Sequence, residues 1–358
     1  MLKKQYLMIP GPTPVPERIT RAMVREMINH RGGEFVKIFT DVTAGIKKCF
    51  KTQNDLFILP SSGTGGMEAA IVNILSEGDP VLVLNIGAFG SRFVKILKAF
   101  RADVDEIKFE RGTAADIDVV EKKLKEKRYK AVFFQQNETS TGVLNDVKRL
   151  AETIKKNDCL VIVDAVSGLL TADLRTDEWG LDVVIAASQK AFMLPPGLSF
   201  VSFSPKAWEY HGKSKMPKFY WDFKFMKTFA EKGQNPFTPP VSLYYGLEES
   251  LKMTEEEGLD NVYERHKALR DMARSGLKKL GLKLLAADDV ASCAVTSVFP
   301  PEGIAADDLR KKVKENSGVV LAGGQEELKG KIFRVGHLGY CSETDVVVAV
   351  DSIGECLK

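Results

Sequence analysis

The chain has 358 residues, 44% of them hydrophobic, which is enough for a large core and for two domains. Its 51 basic and 48 acidic residues give a formal net charge of only +3, which argues against a nucleic-acid-binding protein. The five cysteines are scattered and form no Cys-x-x-Cys pair, so we expect a reducing cytoplasm and neither a disulfide framework nor a metal site. The first residues have no long apolar core and prolines follow quickly, so we expect no signal peptide, and no apolar run approaches the length of a membrane span, so we expect no membrane association.

Between residues 55 and 205, short apolar runs alternate with segments whose apolar residues recur at helical spacing. The runs that we interpret as strands are 56–59, 81–86, 131–134, 160–165, 183–187 and 198–204. Continuous apolar strands alternating with helices predict an α/β fold with a mostly parallel sheet covered on both faces. Functional sites in such sheets lie at the carboxyl ends of the strands.

The pattern changes after residue 205. A segment rich in aromatic residues, lysine and proline is followed by a long helical stretch, residues 243–280, broken near Gly258. The remaining strands and helices alternate in a shorter α+β pattern. We therefore expect three parts, which are an N-terminal arm (1–20), a large domain (21–245) and a smaller C-terminal α+β domain (246–358).

Three polar features stand where this sheet is expected to carry a site. The stretch "LPSSGTGGMEAA" (59–70) is a Gly-rich turn between a strand and a helix, suited either to an anion or simply to a tight, capped turn. Asp164 closes an apolar strand and is either a buried carboxylate with a partner or a solvated loop residue. Lys190 follows the apolar run 183–187 and is either one half of a structural salt bridge or a desolvated nucleophile.

Taken together, a phosphate cradle, a carboxylate and a buried lysine match the requirements of pyridoxal 5′-phosphate. The helix N-terminus would hold the phosphate, Asp164 would keep the pyridine nitrogen protonated, and Lys190 would form the Schiff base. An imine also explains how Lys190 tolerates its apolar surroundings, because it carries no ordinary ammonium.

The chain resembles the class V aminotransferases of the alanine–glyoxylate and serine–pyruvate type, within the fold-type I group. The resemblance covers nearly the whole chain and rests on six blocks in the same order: "PGPTPVP" (10–16), "SSGTGGMEAA" (61–70), "NETSTGVL" (137–144), "VDAVSGL" (163–169), "ASQKAFMLPPGLSFVSFS" (187–204) and "FRVGHLG" (333–339). It implies a seven-stranded-type sheet in the large domain.

The resemblance also implies roles for individual residues around the cofactor. Those expected on the phosphate are Thr64, Gly65, Gly66 and Gln189. Those expected around the ring are Phe89 on one face, Val166 on the other, Thr139 near the ring oxygen and Asp164 at the nitrogen.

Further residues are implied for the substrate and for a second subunit. Arg334 would bind the substrate carboxylate, with the backbone around Gly11 closing that end of the pocket. Family members are homodimers with shared active sites, and Thr238 would reach the phosphate of the other subunit. Some relatives use a tyrosine three positions earlier, where this chain has Asn235.

Three functions are compatible with these features. The first is a transaminase that moves an amino group from alanine or serine to glyoxylate or pyruvate. The second is a lyase or desulfurase of the same class, although Phe89 stands where desulfurases carry a histidine and no cysteine lies in an obvious mobile loop. The third is a partner subunit of a soluble hydrogenase, although the sequence shows no iron–sulfur or nickel ligand pattern.

Overall fold

The strands and helices of the computed structural model, which describes residues 5–358, follow the alternation expected from the apolar pattern. The strands are β1 (Tyr6–Met8), β2 (Asp55–Leu59), β3 (Pro80–Asn85), β4 (Asp103–Lys108), β5 (Ala131–Gln135), β6 (Asn137–Glu138), β7 (Val143–Leu144), β8 (Leu160–Asp164), β9 (Val183–Ala187), β10 (Ser199–Phe203), β11 (Val295–Val298), β12 (Val319–Gly323) and β13 (Phe333–Gly336).

The helices lie between and after these strands. They are α1 (Glu17–Met23), α2 (Gly33–Phe50), α3 (Gly63–Ile74), α4 (Ala88–Ala99), α5 (Ile117–Leu124), α6 (Val147–Lys155), α7 (Pro205–His211), α8 (Phe223–Ala230), α9 (Val241–Glu257), α10 (Leu259–Lys279), α11 (Ala306–Ser317) and α12 (Glu343–Leu357), with a 3-10 turn at Glu326–Leu328. None of the helices in this described part is both long enough and apolar enough to cross a membrane.

The large sheet has seven strands in the order β2-β10-β9-β8-β5-β3-β4. All neighbouring pairs from β9 to β4 are parallel, and only β10 runs antiparallel to its two neighbours. The prediction of an α/β fold with a mostly parallel sheet is therefore confirmed. Because β8 and β9 are direct neighbours, the strand ends that carry Asp164 and lead to Lys190 lie side by side.

Alternating side chains divide the core into one layer on each face of this sheet. Val161 and Val163 pack into the layer that includes α2, α5 and α6, whereas Leu160 and Ile162 pack into the layer of α3 and α4. Since strand residues two apart share a face, Asp164 belongs to the α3 and α4 side. The N-termini of α3 and α4 therefore cover the end of the sheet where Asp164 lies.

The strand β4 was not predicted. Four of the six residues in its sequence, "DVDEIK", are charged, and β3 is its only partner among the described strands, so it forms an edge of the sheet. Edge strands tolerate charged residues, because they face solvent and are protected from pairing with other chains. A search for continuous apolar runs therefore misses such a strand.

A second sheet of four strands has the order β1-β12-β13-β11. It includes the N-terminal strand β1, which runs parallel to β12 and so joins a sheet made otherwise from the end of the chain. Helices α9 and α10 are separated at Gly258, whose φ of 82° is readily adopted by glycine. We retain the division at 1–20, 21–245 and 246–358 as a proposal, and note that α9 runs through the second boundary.

Candidate active site

Lys190 lies in the turn that follows β9 and is only 9% exposed. Its Nζ donates a hydrogen bond to the carbonyl oxygen of Pro10 at 2.5 Å, and its own carbonyl accepts one from the Thr13 hydroxyl at 3.0 Å. Burial lowers the pKa of Lys190 to about 8; the positive charge of Arg334 acts in the same direction, and Asp164 opposes it. Near neutral pH an appreciable part of this amine is therefore uncharged and able to act as a nucleophile or base.

Asp164, the last residue of β8, is buried next to this turn. Its Oδ1 accepts a hydrogen bond from the backbone N–H of Val166 at 2.9 Å, and within residues 5–358 it has no ion-pair partner. Burial raises the pKa of Asp164 to about 7. An ionised carboxylate in this position requires a further N–H donor or a cation.

The N-terminus of α3 presents free backbone amides. The N–H groups of Gly65 and Gly66 donate to the carbonyl of Ser62, at 2.9 and 3.3 Å, and are therefore used within the turn. In the part of the chain that the structure describes, no acceptor is bonded to the amides of Ser62, Gly63 or Thr64. Of the predicted residues Thr64, Gly65 and Gly66, only Thr64 therefore has a free amide, and the other free donors belong to Ser62 and Gly63.

The glycines of this turn are required by close packing. A Cβ on Gly65 would lie 2.6 Å from Ser61 Cβ, and one on Gly63 would lie 2.8 Å from a methyl group of Val166. Gln189, the residue before Lys190, has a buried side-chain oxygen without a hydrogen-bond partner among the described residues. Free amides at a helix N-terminus suit a phosphate or another anion.

Arg92 connects the start of α4 to the start of α3, where the free amides of residues 62–64 form what we call the phosphate cradle. Its guanidinium packs over the Phe89 ring at 4.5 Å from the centroid, and its Nη1 donates to the Thr64 hydroxyl at 3.2 Å. Phe89, at the N-terminus of α4, is thereby held beside the start of α3. Arg92 was not among the residues predicted from the sequence.

Glu138 anchors the same region through hydrogen bonds, and it was also absent from the residues predicted from the sequence. Its buried carboxylate accepts hydrogen bonds from the amides of Phe89 (3.0 Å) and Gly90 (3.2 Å), and from the amide and hydroxyl of Ser140 (3.0 and 2.6 Å). This one side chain therefore connects the start of α4 to the loop that carries Thr139. The available signal was an acidic residue inside a stretch, 131–143, that is almost entirely apolar or uncharged.

Thr139 and Val166 lie on adjacent loops at the same end of the sheet. The Thr139 hydroxyl is 2.6 Å from the hydroxyl of Ser167, which ties the turn between β6 and β7 to the loop after β8. Val166 touches the beginning of α3 at Gly63. The structure thus brings both predicted residues to the cradle.

Arg334, on β13, approaches from the four-stranded sheet and is buried. Its Nε donates to the Gly323 carbonyl at 2.8 Å, and its Nη1 donates to the Thr139 carbonyl at 2.9 Å and to Gln325 Oε1 at 3.2 Å. Gly11 lies against the end of the Lys190 side chain, where a Cβ would be 2.5 Å from Nζ, and its φ of 133° is one that side chains rarely adopt. Residues predicted from distant parts of the chain therefore converge.

Thr238 and Asn235 are not part of this convergence. Thr238 is exposed and makes no hydrogen bond within residues 5–358. The Asn235 amide donates to the Ile58 carbonyl at 3.1 Å and accepts from the Tyr244 hydroxyl at 2.8 Å, so both of its ends are engaged inside its own subunit. Asn235 is therefore a poor candidate for a cofactor contact in another subunit.

The unsatisfied groups around Lys190 fit pyridoxal 5′-phosphate. The free amides of α3 lie where a phosphate ester is expected, and the buried Asp164 carboxylate requires a partner such as a protonated pyridine nitrogen. Lys190 supplies a buried amine of lowered pKa.

Comparisons with known proteins agree with this fit. The family model described as aminotransferase class-V matches residues 5–327. The chain is 44% identical over 99% of its length to a protein of Synechococcus sp. named soluble hydrogenase, small subunit, of which 93% is covered. It is 37% identical over 95% of its length to the L-aspartate–glyoxylate aminotransferase of Paracoccus denitrificans, with 87% of that protein covered.

Among solved structures, the chain is similar to alanine–glyoxylate aminotransferase from Nostoc sp., with a TM-score of 0.96 and 26% identity. The alignment covers 100% of this chain and 96% of that one. The fold and the site therefore define a pyridoxal 5′-phosphate enzyme of fold type I. The chain belongs to the class V aminotransferase family, and it is a transaminase.

Proposed function

We propose that this transaminase transfers the amino group of a small donor, alanine or serine, to glyoxylate or pyruvate. The observation that carries the proposal is Arg334, a buried cation whose Nη2 is free of hydrogen bonds within the described residues, in the same site as Lys190 and Asp164. A guanidinium in this position suits the α-carboxylate that every amino and oxo acid substrate carries. The names of two compared aminotransferases share glyoxylate and differ in the donor.

A small donor is favoured over a dicarboxylate donor such as aspartate. A second carboxylate would require a second cation, and Arg92 is the other arginine whose charge acts on Lys190. Its guanidinium is already packed on Phe89 and bonded to Thr64. The side chain of alanine or serine makes no such demand.

The residues that would hold the cofactor follow from the free groups of the site. The amides of Ser62–Thr64 and the side chain of Gln189 would bind the phosphate, Asp164 would bind the ring nitrogen, and Thr139 the ring oxygen. Phe89 and Val166 would cover the two faces of the ring. When bound, the cofactor supplies a carbonyl group that exchanges with amines and a protonated ring that withdraws electrons from the substrate's Cα.

This chain's own side chains carry out the remaining tasks. Arg334 binds the substrate carboxylate and so orients the Cα–H bond. Lys190 anchors the cofactor through Nζ and, once released, accepts the proton from the substrate's Cα, because burial keeps the amine partly uncharged. Gly11 and Pro10 cover Lys190 and limit the access of water.

Two other functions have less support. A desulfurase requires a reactive cysteine on an accessible loop, and all five cysteines of this chain are buried. Association with a hydrogenase is suggested by the names of two relatives. Such a role would not require a buried lysine with a free carboxylate beside it, so a scaffold without catalysis is disfavoured.

The proposed function is tested by reacting the cofactor-loaded protein with a panel of amino acids and following the loss of its visible absorbance. Alanine or serine should react with the highest kcat/KM, and aspartate much more slowly. The aminated protein should then return to its original spectrum with glyoxylate or pyruvate. A colourless protein that binds no pyridoxal 5′-phosphate would refute the proposal.

Arg334→Lys should retain the cofactor and the melting temperature but lose most of kcat/KM for both half-reactions. Lysine keeps the charge but lacks the planar fork, and a lost charge-assisted contact of this kind costs roughly 2–5 kcal/mol. Arg274→Lys is the matched control, since Arg274 is equally buried but is paired with Asp288 away from the site. It should lower thermal stability and leave kcat/KM near the wild-type value. The assignment fails if amines without a carboxylate react as well as alanine with the wild-type enzyme.

We also propose a cytoplasmic homodimer with shared active sites. Phe219 is 74% exposed, and it belongs to an aromatic cluster in which Tyr220 stacks on Phe237 at 4.8 Å. An exposed aromatic patch of this kind is typical of a protein interface. The patch adjoins both Thr238 and the phosphate cradle, because the neighbouring Trp221 lies 3.5 Å from the Cβ position of Gly65.

Phe219→Asp should therefore split the dimer in sedimentation equilibrium and weaken the binding of pyridoxal 5′-phosphate, since an isolated subunit would lack the contribution of Thr238. Val347→Asp, a charge placed at an exposed apolar residue of α12, is the control and should change neither property. A wild-type protein that is monomeric and fully active would rule out the shared site.

A further inference from the structure

The hydrogen bonds of Arg334 within the protein occupy some of the N–H donors that a substrate carboxylate would need. A guanidinium has five N–H donors. The Nε donor is used by the Gly323 carbonyl, and the two Nη1 donors are used by the Thr139 carbonyl and by Gln325 Oε1. Within residues 5–358, the only donors left without an acceptor are the two on Nη2.

A two-pronged contact with a carboxylate uses N–H groups on two nitrogens of the guanidinium. The pair formed by Nε and Nη2 is blocked, because the Nε acceptor is a backbone carbonyl of β12. The pair formed by Nη1 and Nη2 becomes available if one Nη1 acceptor leaves. Gln325 is the acceptor that can leave, since it is a side chain and its 3.2 Å contact is the longest of the three.

The backbone that carries Gln325 is anchored independently of Arg334. The next residue, Glu326, accepts hydrogen bonds from the Ser91 hydroxyl at 2.8 Å and from Lys95 Nζ at 2.9 Å, both on α4. Glu326 also has a φ of 49°, in the left-handed region that side chains rarely adopt. Gln325 can therefore move off Arg334 by side-chain rotation while the loop stays in place.

We propose that Gln325 is a specificity-determining residue that occupies the carboxylate position on Arg334 and is displaced by the substrate's α-carboxylate. The proposal rests on the proposed role of Arg334 as the carboxylate-binding residue. A carboxylate adds its negative charge and can form two parallel hydrogen bonds with a guanidinium, so it displaces the single neutral amide oxygen, whereas the neutral ester or amide of the same acid competes poorly. Gln325 thereby increases the selectivity for free amino and oxo acids.

The test measures the binding of propanoate, an unreactive carboxylate, to the cofactor-loaded enzyme by calorimetry and by competitive inhibition. Gln325→Ala removes the competing acceptor and should lower the Kd of propanoate about threefold to tenfold. Gln325→Glu places a charged acceptor on Arg334 and should raise the Kd at least about tenfold. An unchanged or higher Kd in Gln325→Ala, or an unchanged or lower Kd in Gln325→Glu, overturns the proposal.

Two further variants separate the possible reasons for failure. Glu326→Ala loosens the same loop without touching Arg334, so a decrease in Kd equal to that of Gln325→Ala would mean that loop mobility, and not the amide, is responsible. Arg334→Lys should weaken propanoate binding. If it does not, Arg334 is not the carboxylate site and the basis of the proposed function is lost; if it does while the Gln325 variants behave like the wild type, only this inference is lost.

Discussion

Lys190→Ala is expected to lose transamination by at least about a thousandfold, the upper part of the range that a positioned acid–base group contributes. The variant should still bind pyridoxal 5′-phosphate, because the free amides of α3 and the Asp164 carboxylate remain. Its bound cofactor should lack the visible absorbance that depends on attachment to lysine. Single-turnover reaction with alanine, followed spectroscopically, measures the loss.

The wild-type protein provides a direct check of the same assignment. Reduction with borohydride and peptide mapping should locate the cofactor on the peptide that contains Lys190. Lys206→Ala is the matched control, since this half-buried lysine donates to the Cys159 carbonyl and lies after β10. It should retain full activity. Label on another lysine would contradict the assignment.

Asp164→Asn is expected to lower kcat by about a hundredfold or more, comparable to the loss of one preorganised electrostatic group in an active site. The amide preserves the shape of the residue but removes the charge that keeps a bound pyridine nitrogen protonated. Cofactor affinity should fall much less than kcat, because the phosphate and lysine contacts are unchanged. Near-normal turnover would mean that the carboxylate has only a structural role.

The cofactor-free form of Asp164→Asn gives a second readout through pH. In the wild-type protein the folded state keeps the Asp164 proton up to about pH 7, whereas in the unfolded chain an aspartate ionises near pH 4. The unfolded state therefore releases its proton first, and wild-type stability falls as pH rises through this window. Asparagine does not titrate. The melting temperature of the variant minus that of the wild type should therefore increase as the pH rises from 4 to 7. A difference that is independent of pH would contradict the raised pKa.

Asp182→Asn is the control for both measurements. Asp182 is also a buried carboxylate of raised pKa, but it precedes β9, at the opposite end of that strand from Lys190, and binds the Val161 amide and the Ser204 hydroxyl. Its replacement should alter stability and leave kcat near the wild-type value. A similar loss of kcat in both variants would point to a general effect of removing a buried carboxylate.

The strands that bury both faces were predictable because each is a continuous apolar run. The run 183–187 became β9 with the same limits, and the break near Gly258 separates α9 from α10. By contrast, β4 is an edge strand with charged residues, and β1 pairs with β12 from the far end of the chain. Neither produces a local apolar pattern, since one faces solvent and the other depends on a distant partner.

A similar division holds for the candidate site. Lys190 and Asp164 stand out because charged residues at the ends of apolar strands are costly to bury, and Thr64, Gly65 and Gly66 because glycine clusters mark close approach. Arg92 and Gln325 carry no such signal, and Glu138 is marked only as an acidic residue in an otherwise uncharged stretch. Each acts through a contact that no local pattern reveals, with Phe89 for Glu138, Thr64 for Arg92 and Arg334 for Gln325.

The sequence by itself determined the α/β class, the positions of most strands and helices, and the motifs that assign the chain to class V aminotransferases. These features depend on local periodicity and on residue types whose chemistry is restrictive wherever they occur. Only the tertiary structure decided which amides at α3 are free, that both ends of the Asn235 amide are used within its own subunit, and that Gln325 lies on Arg334. Those facts are set by which donors and acceptors the fold brings within hydrogen-bonding distance, and sequence patterns do not reveal such distances even where, as for Gln325 and Arg334, the two residues are close in the chain.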